Sequence, residues 1–545
     1  MTAQTAPGTT PGTGQGFALG PADSPDAGGA AVPLVLGGSR RATIRLHADD
    51  DVVIACYPLS AGDHLDAEGV TVRAEVPAGH KVATRTVAVG APVLRYGQVI
   101  GTASAAIAVG DHVHTHNLEM SEFARDPAPS VDSRPTQLVE QPRTFEGIRR
   151  ADGRAATRNY VGIVSSVNCS ATVVRAIADA FRRTDADPGR LADYPNVDGV
   201  VALVHETGCA VDPAGEGFAV LRRTLQGYAE HANFGGILMI GLGCETNQVE
   251  EIPVGQGDGP LLTRFTIQDV GGTTRAIAQG IALVEAMLPT VNDVVREPIP
   301  LSELTVGLQC GGSDGYSGIT ANPALGHAVD LLVRHGGTAI LSETPEIYGA
   351  EHLLTRRART PEVADKLLRR FDWWLAYAER MGAELNNNPS TGNKAGGLTT
   401  VLEKSLGGVT KGGTTDLVDV YTYAERVTAH GLVFMDTPGF DPVSATGQVA
   451  GGANLICFTT GRGSAYGCQP TPSLKIATNS LLWDRQRDDM DLNAGEIVGG
   501  RRSIAEVGDE IFEAMIDCAS GRRSRSELHG YGQNEFAPWQ LSAVM

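Results

Sequence analysis

Short apolar runs separated by turns fill the chain just after residue 40. One turn recurs four times between residues 60 and 113, each time with a glycine and, three residues later, a leucine or valine that begins an apolar strand. Glycine accepts the positive φ that a tight turn needs, and the residues after it favour strands. The pattern therefore predicts a small all-β domain over residues 41–122, folded as a compact barrel or clip.

Farther along, apolar strands alternate with helical segments. Unbroken runs such as Val161–Val164 and Val200–Val204 lie between stretches of helical periodicity. Continuous β-branched runs between helices are typical of buried parallel strands. We therefore predict two α/β domains with mainly parallel sheets, over residues 146–295 and 296–545, because prolines interrupt the pattern between them.

Two segments outside these domains hold little that a core could bury. Residues 1–40 are rich in Gly, Ala, Thr and Pro and nearly uncharged, so we predict a disordered N-terminal extension. Residues 123–145 carry four prolines among polar residues and are predicted to be an extended, semi-rigid linker. The predicted fold class is thus α/β, with a small all-β domain, a linker and two α/β domains.

Charge and composition narrow the class of function. The 545 residues carry a formal net charge of -19, which argues against nucleic acids and anionic membranes as partners, since both attract basic surfaces. No apolar run reaches the roughly 18 residues that span a bilayer, and no signal peptide is evident. Eight cysteines without a CxxC pair fit a reducing compartment. We expect a cytoplasmic protein that binds a small molecule. The sequence leaves open whether the chain forms a homo-oligomer.

The segment Gly110–Asn117 carries His112, His114 and His116 at alternate positions. On an extended strand such side chains point to the same face, so the three imidazoles would stand in a row. Imidazole is the commonest protein ligand for divalent transition metals, which suggests contact with a metal or a substrate. A polar strand edge that faces solvent is the alternative.

Four cysteines come just after predicted strands, at positions where a doubly wound sheet forms its ligand crevice. Three interpretations stay open for them. They are small buried residues at tight junctions, residues that line a ligand site, or ligands of an iron–sulfur cluster, which the lack of CxxC spacing disfavours. The four are Cys169, Cys209, Cys244 and Cys310.

Polar loops also follow several predicted strands. Ser313 and Asp314 lie in one glycine-rich turn and Arg462 in another, where backbone N–H groups can hold an anion and a guanidinium can clamp a carboxylate. Neither turn matches a Walker A or Rossmann fingerprint, so we predict neither ATP nor NAD. Lys394 and His205, in two further loops, are able to transfer protons. A plain turn, a solvated lysine and a structural histidine explain these residues equally well.

Long motifs of this chain resemble those of the altronate and galactarate dehydratases. The resemblance covers about residues 42–540. The N-terminal domain, with Gly79–Ala83 and the histidine-rich segment, resembles the small SAF-type domain of that family. The other motifs are Glu146–Tyr160 with Val167–Cys169, Gly241–Glu245, Leu308–Asp314, Asn393–Gly397 with Glu403–Lys404, and Phe458–Gly463.

The resemblance implies a hydro-lyase that converts a sugar acid to a 2-keto-3-deoxy acid in hexuronate or hexarate catabolism. It also implies a divalent metal, iron(II) or else manganese(II), in place of an iron–sulfur cluster. The histidine-rich segment is more similar to altronate dehydratases, so we predict D-altronate as substrate. Galactarate or another aldonate or aldarate is the alternative, and a non-catalytic sugar-acid-binding module is the rival from another class.

The chemistry of β-elimination beside a carboxylate assigns candidate roles. A base removes the C2 proton, positive charge stabilises the carboxylate, and an acid or a metal helps the C3 hydroxyl to leave. We expect the N-terminal domain to close over a sugar acid held by the body of the chain. The predicted metal ligands are His112, His114 and His116, the acid/base candidates Lys394, His205 and Lys81, and the substrate-binding candidates Asn117, Ser313, Asp314 and Arg462.

Overall fold

A computed structural model describes most of the chain from Arg41 onward. The predicted disordered extension, residues 1–40, lies outside the described residues, as do residues 123–125 of the predicted linker. Among the described helices, none is both long and apolar enough to cross a membrane. The described residues are 41–121, 126–183, 189–255 and 259–541.

Residues 41–121 form the small all-β domain that the sequence predicts. Gly79, Gly90 and Gly110, glycines of the recurring turn, have φ of 80°, 77° and 87°. These angles lie in the left-handed region that glycine tolerates, which confirms why the turn recurs. The strands are β1 (Thr43–Ile44), β2 (Val52–Ala55), β3 (His64–Leu65), β4 (Val70–Thr71), β5 (Lys81–Ala83), β6 (Pro92–Arg95), β7 (Gln98–Ala103), β8 (His112–Val113) and β9 (Leu118–Glu119).

The strands of this N-terminal domain pair antiparallel. They form a sheet in the order β1-β2-β5-β8, a second sheet β6-β7-β9, and the pair β3-β4. Val53, Leu65 and Val82 share one apolar core. Val93 and Ile100 belong instead to a core that continues into the C-terminal domain. The N-terminal domain is therefore packed onto the body of the chain.

The first α/β domain follows, and parallel strands form its central sheet, as predicted. Its strands and helices alternate along the chain. They are β10 (Thr144–Arg149), β11 (Ala155–Ala156), β12 (Tyr160–Ser165), α1 (Ala171–Asp179), β13 (Gly199–Leu203), α2 (Glu216–Ala229), β14 (Phe234–Gly241), β15 (Leu261–Thr266), α3 (Ile267–Val270) and α4 (Thr273–Asn292).

The central sheet of this middle domain has the order β13-β12-β14-β15 and is covered on both faces. Val174 of α1 and Val284 of α4 pack with Ile163 on one face. On the other face, Leu225 of α2 shares a core with Val449 of the C-terminal domain. Burial on both faces explains the unbroken apolar runs of the strands.

The C-terminal domain is a larger α/β unit. Its bounds are β16 (Arg296–Pro300), β17 (Thr305–Cys310), α5 (Ala321–Arg334), β18 (Thr338–Leu341), α6 (His352–Thr355), α7 (Pro361–Met381), α8 (Thr391–Ala395), α9 (Val401–Gly408), β19 (Leu417–Tyr421), β20 (Gly431–Met435), α10 (Asp441–Ala450), β21 (Leu455–Thr460), β22 (Ser473–Ala477), α11 (Ser480–Arg485), β23 (Leu492–Asn493), α12 (Ile504–Ala519) and α13 (Arg525–Leu528).

The main sheet of the C-terminal domain is parallel, with seven described strands in the order β19-β20-β18-β17-β21-β22-β23. Leu341 of β18 packs with Val329 of α5 and Met515 of α12 on one face. Ile340, the preceding residue, packs with Val449 of α10 on the other. The alternation of β18 thus separates two cores, one on each face of the sheet.

Two contacts tie the middle and C-terminal domains together. β10 pairs antiparallel with β16, which places Phe145 opposite Ile299. Arg158 and Glu527 form a buried bidentate ion pair, with Nε–Oε1 at 2.6 Å and Nη2–Oε2 at 2.9 Å. Burial opposes ionisation of Glu527, but the charge of Arg158 outweighs it and lowers the pKa of this carboxyl group.

The described part of the predicted linker, from residue 126, runs along the C-terminal domain without helix or strand until β10 begins. The Ser130 backbone N–H donates to the Thr355 carbonyl at 2.9 Å, and the Val139 N–H donates to the Arg334 carbonyl at 2.9 Å. These bonds fix its path across the surface.

Replacing Glu527 by Gln should lower the free energy of unfolding by about 3–5 kcal/mol, because Arg158 would keep a buried charge without a counter-charge. Urea denaturation at neutral pH measures this. The matched control is Glu513→Gln, which breaks the exposed ion pair with Arg143 and should cost at most about 1 kcal/mol. Equal losses in the two variants would contradict the prediction.

The same pair predicts a pH dependence of known sign. Because the folded-state pKa of Glu527 is lowered, the stabilisation by this pair is present above its ordinary pKa of about 4.5 and lost as the pH falls through the folded-state value. The difference in unfolding free energy between wild type and E527Q should therefore shrink on acidification. Denaturation at a series of pH values checks this, and a constant difference would exclude it.

Candidate active site

A topological switch point lies between β17 and β21, because the chain winds from β17 to β18 on one side and later to β21 on the other. Open α/β sheets bind ligands at the carboxyl ends of the strands at such a point. The loops found there, residues 311–315 and 461–463, are the two glycine-rich turns of the sequence analysis. The structure thus brings Ser313, Asp314 and Arg462 to one edge of the sheet.

Asp314 is the centre of a buried hydrogen-bond network at this edge. Its Oδ1 accepts from the hydroxyls of Ser317 at 3.0 Å and Thr478 at 2.9 Å, and its Oδ2 accepts from the Asn479 amide at 3.0 Å. Ser313 is also buried, whereas Arg462 is exposed. Asp314 holds the loops together, and Arg462 is open to solvent and to a ligand.

The N-terminal domain docks onto the same edge. The turn before β5 approaches so closely that the Gly79 carbonyl oxygen leaves no room for a side chain at Gly315 or Gly397. His80 Nε2 lies 3.2 Å from the Ala395 carbonyl oxygen, and the Lys81 ammonium donates to the Gly397 carbonyl at 2.7 Å. Side chains of the two domains therefore meet over the switch point.

Three histidines cluster at this junction. β5 pairs antiparallel with β8, with Val82 opposite His112, and this brings His80 beside His112, with Nδ1 and Nε2 3.0 Å apart. The ring of His114 lies 4.8 Å from that of His80 and 5.4 Å from that of His112, between centroids. His80 was not among the ligands predicted from the sequence, because β6 and β7 separate β5 from β8 along the chain and only the folded pairing brings them together.

The predicted row of histidines on one strand is wrong beyond Val113. β8 ends there, and residues 114–117 form a bend and turn. The Asn117 side chain stabilises this turn, because its amide donates to the His112 carbonyl at 3.0 Å and its Oδ1 accepts from the His114 N–H at 2.9 Å. His116 is exposed, with its ring centroid 5.4 Å from that of His112.

The histidine cluster, His80, His112 and His114, fits a divalent metal. Each residue offers one nitrogen, and these nitrogens lie within 4.8 Å of one another. His114 Nδ1 is buried and has no hydrogen-bond partner among the described residues. Burial lowers the pKa of His112 to about 4 and that of His114 to about 3, so both rings are neutral at pH 7, the form that coordinates metals.

A buried charge cluster lies directly behind the histidines. The Lys81 ammonium is 2.9 Å from both carboxylate oxygens of Glu403, which also pairs with Arg95. Burial opposes ionisation of Glu403, but Lys81 and Arg95 outweigh it and lower its pKa to about 2. Burial lowers the pKa of Lys81 to about 8 despite Glu403. Glu403 is attracted by two cations, whereas Lys81 shares its one carboxylate with Arg95. The charged form of Glu403 is therefore stabilised more strongly than the charged form of Lys81.

The other two acid/base candidates lie in different surroundings. Lys394 is half-buried on α8, next to Ala395, whose carbonyl contacts His80. His205 is buried in the middle domain, with Nε2 3.0 Å from the Ser165 carbonyl oxygen and Nδ1 accepting from the Thr207 N–H at 3.3 Å. Backbone groups thus engage both ring nitrogens of His205, whereas Lys394 adjoins the histidine cluster.

A second buried cluster, which was not predicted from the sequence, surrounds Cys310. The Lys411 ammonium is 2.9 Å from the Cys310 sulfur and 3.2 Å from Glu343, and Lys404 pairs with Glu346 at 2.7 Å. Burial and the nearby Glu346 raise the pKa of Glu343 to about 8. Cys310 itself belongs to the C-terminal sheet and is buried, so it does not share an edge with the other three cysteines at predicted strand ends.

Comparison with known proteins decides the family. Residues 41–121 match the altronate/galactarate dehydratase SAF domain, residues 147–292 the second domain of D-galactarate dehydratase/altronate hydrolase, and residues 301–544 the C-terminal domain of D-galactarate/altronate dehydratase. The chain belongs to the altronate/galactarate dehydratase family. It is therefore an enzyme of the hydro-lyase type, in a family of sugar-acid dehydratases, as its motifs predicted.

Three relatives match this family member over most of its length. Altronate dehydratase of Bacillus subtilis (strain 168) is 34% identical over 90% of this chain and 97% of its own. Galactarate dehydratase (L-threo-forming) of Escherichia coli (strain K12) is 38% identical over 88% and 93%. Altronate dehydratase of the same strain is 36% identical over 90% and 97%. Similar identities to both kinds of enzyme leave the substrate of this dehydratase open.

Replacing Glu403 by Gln should destabilise the dehydratase by about 3–5 kcal/mol, because Lys81 and Arg95 would stay buried without a carboxylate. The midpoint of urea unfolding measures the change. Glu379→Gln, at an exposed position of α7, serves as the control and should leave the midpoint unaltered. An E403Q variant as stable as this control would contradict the stabilising role of the charge cluster.

Proposed function

We propose that this dehydratase converts D-altronate to 2-dehydro-3-deoxy-D-gluconate and water. The proposed metal is iron(II), or else manganese(II), held by His80, His112 and His114. The observation that supports the proposal is the histidine cluster itself, with the partnerless His114 Nδ1, at the carboxyl edge of the C-terminal sheet. Three neutral imidazoles are a donor set that suits these ions.

The metal, when bound, would act as a Lewis acid that stabilises the negative charge developing on the substrate carboxylate. Arg462 is exposed beside the switch-point loops and is proposed to clamp that carboxylate. Lys394, on α8 next to Ala395, whose carbonyl contacts His80, is proposed to move a proton at its Nζ. Lys81 donates to Glu403 and to the Gly397 carbonyl and so holds the backbone just after α8 in place. Proton transfer by Lys81 or by His205 stays a prediction of the sequence.

The preference for altronate rests on the histidine-rich segment, since relatives of both names are similarly close. Galactarate or another aldonate or aldarate is the alternative substrate. Asp314 holds the switch-point loops together, and Asn117 stabilises the turn after β8. Direct binding of the substrate by Asn117, Ser313 and Asp314 stays a prediction of the sequence. A cytoplasmic location and a homo-oligomer stay predictions of the sequence.

An anaerobic assay tests the proposed reaction. The purified chain, supplied with iron(II) or manganese(II), is incubated with a panel of aldonates and aldarates, and the 2-keto-3-deoxy product is measured. We expect the highest kcat/KM for D-altronate. A higher value for galactarate would select the alternative, and sugar-acid binding without any product would contradict a dehydratase.

Alanine variants test which histidines hold the metal. His80→Ala and His114→Ala should each lower the bound metal and reduce kcat more than about 100-fold, which exceeds the usual effect of an outer-shell partner. His116→Ala is the matched control, since the exposed His116 lies in the same segment but outside the cluster. Metal loss in H116A with full retention in H80A would support the set predicted from the sequence instead.

A further inference from the structure

Three cysteines of the middle domain lie at the carboxyl ends of three neighbouring parallel strands. Cys169 follows β12, Cys209 follows β13 and Cys244 follows β14, and β12 is the strand between the other two. All three side chains are exposed, whereas Cys310 and three further cysteines are buried. None of the three belongs to the histidine cluster or to the switch-point loops of the proposed active site.

Hydrogen bonds join the three loops that carry these cysteines to one another. The Asn168 N–H donates to the Thr207 carbonyl at 3.0 Å, and the Asn247 N–H donates to the Gly208 carbonyl at 3.0 Å. The Asn247 amide also donates to the Ser166 carbonyl at 2.8 Å. Each loop is thus bonded to another within three residues of its cysteine.

The backbone around these cysteines is shaped in an unusual way. Gly208 and Ala210, on either side of Cys209, have φ of 106° and 53°, and Gly243, just before Cys244, has φ of 125°. Ala210 carries a side chain in the left-handed region, a strain that proteins concentrate at ligand sites. The backbone of two of the three loops thus takes the left-handed region directly beside a cysteine.

A helix N-terminus and polar side chains lie beside the cysteines. Cys169 lies just before α1, where the partial positive charge of the helix N-terminus stabilises an anion. The Gln268 side-chain amide donates to the Cys244 sulfur at 3.3 Å. Beside them, the buried Asn247 Oδ1 has no hydrogen-bond partner among the described residues. Hydrogen bonds to sulfur are a device by which proteins tune metal–sulfur centres.

We propose that Cys169, Cys209 and Cys244 bind an iron–sulfur cluster of the [4Fe–4S] type, with one iron left without a cysteine ligand. Three thiolates form a soft donor set, which selects iron–sulfur clusters or zinc. A structural zinc site is closed by four protein ligands, whereas this site offers three cysteines, all of them exposed to solvent. The cluster would exist beside the metal of the histidine cluster, and the proposal does not depend on the proposed reaction.

Anaerobic reconstitution with iron(III), excess dithiothreitol and sulfide tests the cluster site, because oxidation of one dithiol supplies the two electrons that convert four iron(III) ions to the two iron(III) and two iron(II) of a [4Fe–4S]2+ core. Wild type should take up about four acid-labile sulfides and about five iron atoms per chain, four in the cluster and one at the histidine cluster, with the broad visible absorbance of a [4Fe–4S] centre. Cys169→Ser, Cys209→Ser and Cys244→Ser should each lose most of the sulfide and of the absorbance. Cys56→Ser, in the N-terminal domain, is the control and should retain both.

A second measurement covers the case that a serine variant fails to fold. In wild type, iodoacetamide should alkylate the three exposed cysteines of the apo protein, and reconstitution should protect all three, as read by mass spectrometry. Iron uptake without sulfide, unprotected cysteines, or equal sulfide in the C169S/C209S/C244S triple variant would each overturn the proposal. His114→Ala separates the two sites, since it should abolish turnover and leave the sulfide content unchanged.

Discussion

Two cations of the N-terminal domain share one buried carboxylate, that of Glu403, and the rest of the site depends on this interaction. Lys81 and Arg95 come from the N-terminal domain and Glu403 from α9 of the C-terminal domain. A buried charge without a partner is far more costly than a broken surface pair. The two domains therefore meet in one register, and that register brings His80 against the end of α8, the helix that carries Lys394.

Small residues make this close approach feasible. The backbone of Gly79 packs against Gly315 and Gly397, where a side chain on either of the latter two would collide with the Gly79 carbonyl oxygen. Two carbonyl oxygens beside this contact are then bound by the N-terminal domain, that of Ala395 by His80 and that of Gly397 by Lys81. The same motif thus supplies both the room for docking and the polar groups that fix it, which explains why glycine, histidine and lysine stand next to one another at positions 79–81.

Much of the architecture could be predicted from the sequence, because strand and turn patterns are local. The glycine turns gave the all-β domain, and the unbroken apolar runs gave the parallel sheets. The candidate site was harder, since its parts lie far apart in the chain. His80 was missed because only the pairing of β5 with β8 makes it a neighbour of His112, and the alternation of histidines predicted a strand where Asn117 stabilises a turn. Cys310 was grouped with the other cysteines because a sequence does not show which sheet a strand joins.

The separation of the charged partners along the chain has a consequence for biosynthesis. Lys81 precedes Glu403 by 322 residues, so the ribosome makes the N-terminal domain roughly 15 to 65 seconds before its counter-charge, at about 5–20 residues per second. During that interval the nascent domain has no docking surface. The histidines can be brought against the switch-point loops only late in translation, so loading of the proposed metal would be a final step of maturation.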